Sequence, residues 1–150
     1  MGARIVCPGP DGMRVMLADG DLRISMDYGR AARFGPWESF ATFSDVSTTI
    51  EWRRRMIESR MRPFATIHRW TVGPNEAARQ LLVVSTVARD VGEESCIVGL
   101  VDATATKGAN ALARELADRR AAQFTCGTDR PRAYGRVTFD TPLPGRVVPQ

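Results

Sequence analysis

Residues 96–126 read CIVGLVDATATKGANALARELADRRAAQFTC, an apolar run, a turn and an amphipathic run enclosed by two cysteines. Cys96 to Asp102 is short and almost continuously apolar, which predicts a buried strand. From Asn110 to Phe124 the apolar residues Leu112, Ala113, Leu116, Ala117, Ala121 and Phe124 recur at helical spacing. Asn110 suits the N-cap, Glu115 precedes Arg119 by four, and Gly127 follows the end. The strand rises about 20 Å at ~3.3 Å per residue. The helix returns about 21 Å at ~1.5 Å per residue. A helix packed back along its own strand therefore brings Cys126 to Cys96. A bridge there would stabilise by roughly 3–4 kcal/mol through loop closure, the alternative being two buried thiols in a reducing compartment. Cys7 is left as a free thiol.

Upstream, the signals are those of antiparallel strands. Met13–Ala18 and Leu22–Tyr28 flank Asp19-Gly20-Asp21, and Leu22, Ile24, Met26 and Tyr28 alternate with Arg23, Ser25 and Asp27. That pattern predicts a hairpin. Gly29–Glu38 reads as a loop and Phe40–Phe43 as a brief strand. Ser47–Arg53 is β-rich, with Thr48, Ile50 and Trp52 on one face. Phe64–Val72 places Phe64, His68, Trp70 and Val72 together, and Arg54–Pro63 between them reads as a wide loop or one helical turn. Gln80–Arg89 is apolar on both faces, as a central strand would be. Strands followed by one helix give an α+β domain: an antiparallel sheet of about six strands with the C-terminal helix on one face. The expected organisation is a turn-rich lead-in over 1–12, a single domain over 13–127 and an irregular Pro/Arg-rich tail over 128–150.

At 150 residues with 43% hydrophobic content, the chain can fold around one core without a metal. A single histidine excludes His-rich metal sites and Cys/His zinc fingers, and no glycine-rich phosphate loop or other cofactor motif is present. No run of about 18 apolar residues predicts a membrane span. The opening Met1-Gly2-Ala3-Arg4-Ile5-Val6 lacks a signal-peptide pattern, consistent with a cytosolic protein or a mature form. The formal charge of +4 permits anionic partners. Arg53, Arg54, Arg55, Arg60 and Arg62 fall within ten residues, interrupted by Glu58 and set beside Trp52. This cluster reads either as a solvated loop or as a phosphate-binding loop with Trp52 as a stacking face.

His68, flanked by Phe64 and Trp70 on its strand face, reads as a packed histidine rather than a general base. No Gly-x-Ser-x-Gly turn accompanies it. Glu51 reads as a solvated cross-strand partner, and Asp102 as an acid serving the turn before the helix.

Asp21-Leu22-Arg23, Thr49-Ile50-Glu51-Trp52-Arg53, Arg62-Pro63-Phe64-Ala65 and Arg69-Trp70 occur in order along the chain. They are followed by Leu82-Val83-Val84-Ser85, Cys96-Ile97-Val98-Gly99, Val101-Asp102-Ala103 and Ala109–Arg114. Over residues 7–127 this series resembles an uncharacterised set of secreted alphaproteobacterial proteins. The resemblance implies export and supports the cysteine pair; it implies no activity. The expectation is a non-catalytic periplasmic or secreted domain, envelope-associated or binding a protein or glycan through Trp52, Arg53, Arg54, Arg55, Arg60, Arg62 and Trp70. The alternatives are nucleic-acid binding by the Arg53–Arg62 loop and a small hydrolase centred on His68.

Overall fold

Strands with alternating or fully apolar faces build two sheets. A computed structural model describes residues 2–136 and 148–149. Strands β1 (Arg4–Pro8), β2 (Arg14–Gly20) and β3 (Arg23–Gly29) form an antiparallel three-stranded sheet in that order. A second sheet follows chain order through β4 (Ser44–Ile57), β5 (Arg60–Val72), β6 (Arg79–Thr86), β7 (Ile97–Asp102), β8 (Arg132–Tyr134) and β9 (Val148–Pro149). Its pairs are antiparallel up to β7, whereas β7–β8 and β8–β9 are parallel. Helix α1 (Ala109–Arg120), the one α-helix among the described residues, continues into a 3-10 turn, Ala121–Gln123. The domain is α+β, as its strand and helix periodicities predict.

The large sheet is the middle layer. Along β6, Leu81 and Val83 face the small sheet and join a core with Met26, Tyr28, Phe40 and Trp70. Leu82 and Val84 face the helix and join Ile67, Val98, Ala113 and Leu116. Burial on both faces is why β6 reads as apolar throughout and sits at the sheet's interior. The helix comes close because its inner face is small: Ala109, Ala113, Ala117 and Ala121 are all buried. It also crosses Gly99, where an added Cβ would stand 2.9 Å from Leu116 Cδ2 and 2.6 Å from the Arg132 carbonyl oxygen.

Several local expectations are corrected. Residues 4–8, read as lead-in, form an edge strand. The first hairpin turns on Asp21 and Leu22, both at positive φ, so Leu22 is exposed instead of continuing the inner face of Ile24, Met26 and Tyr28. Phe40–Phe43 is not a strand; Phe40 alone turns inward and packs edge-on against Trp70. The helix is capped by Gly108 in a left-handed conformation, not by Asn110. The segment 54–63 is neither a wide loop nor a helical turn. It continues β4 and β5 to a two-residue turn at Glu58-Ser59, both at positive φ. Within the tail, Arg132–Tyr134 pairs beside β7; the reading of 137–147 and 150 as irregular lies outside the described residues.

Candidate binding groove at the disulfide end

The β4–β5 ladder contains two irregularities that decide where side chains point. Arg53 pairs with Ala65 and Arg54 with Pro63, so Phe64 is an extra, bulged residue. Phe64 consequently joins Ala65 and Ile67 in the helix-side core, while Trp70 and Val72 stay in the opposite one. The expected shared face of Phe64, His68, Trp70 and Val72 is broken at its first member. The second break lies between Val46 and Ile50, where β4 has two more residues than β5. It leaves Thr48 exposed, separated from Ile50 and Trp52, and turns the Ser47 carbonyl toward His68 Nε2 at 2.7 Å.

His68 is 1% exposed, and its Nδ1 lies 2.7 Å from the Tyr28 hydroxyl. A carbonyl only accepts, so Nε2 carries the proton and Nδ1 accepts from Tyr28. Burial, then the nearby Asp27 charge, pushes the Tyr28 pKa far up and keeps its hydroxyl a donor. Burial also lowers the His68 pKa, against the opposing hydrogen bond to Ser47. The imidazole is thus a neutral cross-brace between β3, β4 and β5.

Trp70 does not belong to a binding surface: it is 1% exposed in the core beneath the small sheet. The sequence treats its face as open because nothing local announces a second sheet over it. Trp52 is half-buried, its ring edge-on to Tyr28 with centroids 6.1 Å apart. Arg53 makes a bidentate bond to Asp118 of the helix, with contacts of 2.8 and 3.1 Å from Nη2. Glu51, expected to be solvated, instead receives Arg114 of the helix and Arg53 of its own strand. Those bonds, Arg114 foremost, lower the Glu51 pKa. Arg54 pairs with Asp11 at 3.1 Å and Arg62 with Glu58 at 3.5 Å. Arg55 lies over the Phe64 ring at 5.4 Å. Asp102 is fully buried and accepts from the Thr104 and Ala105 amides and from Arg79, holding the turn ahead of the helix.

Cys96 and Cys126 form a disulfide, with Cα atoms 5.8 Å apart, while Cys7 is free and exposed. The bridge fixes the segment after the helix to the start of β7. Around it opens a groove of about 630 Å³. Ile57 and Phe64 of the β4–β5 hairpin form one wall, and Ala122 and Phe124 beyond the helix form the other. Each aromatic ring carries a guanidinium, Arg55 on Phe64 and Arg120 on Phe124 at 5.6 Å. Arg89 and Glu93 bring both signs of charge to the loop side. Of the residues singled out from sequence as a surface, only Arg55 lines this groove. Phe124 was read as core and Arg89 as the end of the central strand, so the groove was missed. His68 is outside it.

No family model matches the chain, and neither do any curated protein or solved structure. No helix among the described residues is long and apolar enough to cross a membrane.

Proposed function

We propose that this chain is a non-catalytic binding domain of an oxidising, extracytoplasmic compartment that holds a protein or glycan partner of the envelope in the groove beside Cys96–Cys126. The observation that carries the reading is the groove itself, a trough of mixed polar and apolar lining bordered by a covalent bridge. Disulfides persist outside the reducing cytosol, and the resemblance to secreted proteins points the same way. A concave surface that sets Ile57 and Phe124 among Arg55, Arg89, Glu93 and Glu94 is suited to a partner carrying both apolar and polar groups. The Arg55 guanidinium, stacked on the buried Phe64 ring, and the half-buried Phe124 ring offer contacts to an apolar or sugar-ring surface.

The hydrolase reading is less well supported, because both His68 ring nitrogens are occupied in the core, away from the groove. The nucleic-acid reading is weakened by the carboxylate partners of Arg53, Arg54 and Arg62.

The test is capture from separated envelope and cytosolic fractions, together with thiol trapping of Cys96 and Cys126 in the native host. Ala122 is exposed and lines the groove, so Ala122→Trp fills it without touching the core. The expected result is an oxidised pair and an envelope partner held by the wild type but not by Ala122→Trp. Reduced cysteines in the cell, or equal capture by both proteins, would reject the reading.

A further inference from the structure

The β4–β5 hairpin projects past its neighbour. β6 pairs with β5 only between Val72 and Ala65, so residues 54–63 form a two-stranded arm beyond the sheet. Register sorts its side chains. Arg55 faces Arg62 and Ile57 faces Arg60 across one side; Arg54 faces Pro63 and Met56 faces Met61 across the other. Met56 and Met61 are 63% and 56% exposed, an apolar pair directly opposite one another near the tip. Side chains of this size seldom pair in the open without a partner surface.

Charge selects that surface. Residues 53–62 hold five arginines against Glu58 alone, so the whole formal excess of +4 resides in this segment and the remainder of the chain is neutral. Arg55 and Arg62 stand directly opposite, an arrangement of like charges that costs stability unless an anion lies nearby. Glu58, the acid at the turn, is engaged by Arg62. Among the described residues no ion pair occupies Arg55 or Arg60. Exposed methionines on one side of the arm tip, with Arg60 and Arg55 on the other, match the boundary of an anionic bilayer met by the tip: the thioethers enter the acyl edge while the guanidinium groups remain at the phosphates. A second copy is disfavoured because two such arms repel. A nucleic acid is disfavoured because the arm offers no free ring to stack on, Trp52 being half-buried against Tyr28.

We propose that the tip of the 54–63 arm docks on anionic phospholipid surfaces, inserting Met56 and Met61 while Arg55 and Arg60, from the other side of the ribbon, meet the phosphates. This inference goes beyond the groove; Arg55 and Met56 border both surfaces, so the test is made at Arg60 and Met61, which do not line the groove.

The experiment is co-sedimentation of the oxidised protein with phosphatidylcholine vesicles, with and without about one-third phosphatidylglycerol. The expected result is binding to the anionic vesicles only, falling as salt rises. Arg60→Gln with Met61→Ser leaves the groove lining intact, and circular dichroism confirms its fold. Its affinity is expected to fall about ten-fold or more. Absence of sedimentation with anionic vesicles, or equal binding by wild type and the double variant, would overturn the proposal. So would binding to a DNA duplex at the same salt that is tighter than to the vesicles and indifferent to Met61→Ser.

Discussion

The two faces of the central sheet are built on opposite principles. Toward the small sheet, the core is large and aromatic: Tyr28, Phe40 and Trp70 fill it, and His68 braces it through two hydrogen bonds. Toward the helix, the core is aliphatic and small, with four alanines letting α1 settle onto Gly99. The first layer is held by volume and a buried polar link. The second is held by close approach, a ladder of ion pairs and a covalent bond. A small side chain buries little area, at about 25 cal/mol per Å² of apolar surface, so the helical layer leans more on its disulfide and the sheet layer more on its rings.

The largest effect is expected on the aromatic side. Trp70→Ala should cost about 4 kcal/mol by emptying the space between the sheets, read as a lowered denaturant midpoint; a change below about 1 kcal/mol would mean that this core is loosely packed. On the helix side, replacing both Cys96 and Cys126 by Ala should cost roughly 3–4 kcal/mol, if the bridge acts by restricting the unfolded chain. Hydrogen exchange should then rise in α1 before it rises in β3. Uniform loss of protection across both layers would show that the faces do not differ in what secures them. Gly99→Ala comes next, at roughly 1–3 kcal/mol, from overpacking against Leu116 and the Arg132 carbonyl.

The contrast was unevenly legible in the sequence. The helix side could be read because its signals are local: apolar spacing over Leu112–Phe124 and equal lengths of strand and helix between Cys96 and Cys126. The disulfide follows from that arithmetic, and the structure contains it. The aromatic side could not be read, because its cover is remote. Nothing near Trp70 reveals that β3 lies across it, so an inward tryptophan resembles a surface one. The arm was hidden for a related reason. Its dense arginines resemble a solvated loop, and only the β4–β5 register shows that they alternate across a ribbon. The bulge at Phe64 adds one residue to the period-two pattern, and no residue type marks it. The groove is least legible of all, since hairpin, loop and post-helical segment meet there from distant parts of the chain.

Titration of His68 sharpens the comparison with a smaller effect. Its pKa is lowered by burial, so the unfolded chain takes up a proton before the native one. The contribution is present above the unfolded value near 6.5 and is lost as pH falls from there through the lowered native one. Wild-type stability should decline as pH falls below about 7, and His68→Gln should flatten that slope. An unchanged slope in the variant would place the titrating group elsewhere. Asp27 acts with the opposite sign: burial raises its pKa, so its protonation lower in the acid range relieves a cost and partly offsets the loss.

The ion ladder on the helix side should give the smallest effect. Glu51–Arg114 and Arg53–Asp118 tie β4 to α1, but all four side chains are partly exposed and screened by solvent. Single changes such as Asp118→Asn should shift the denaturant midpoint only slightly, and less in high salt. Acid separates the ladder from His68. The Glu51 pKa is lowered, chiefly by its hydrogen bond to Arg114, so its contribution holds above the ordinary carboxylate value and is lost as pH falls through the lowered one. A double-mutant cycle between Glu51 and Arg114 should therefore show coupling at neutral pH that vanishes in strong acid, while the disulfide contribution persists. Coupling that survives acid would mean that the two side chains communicate through packing rather than charge, making the helical layer more like the aromatic one.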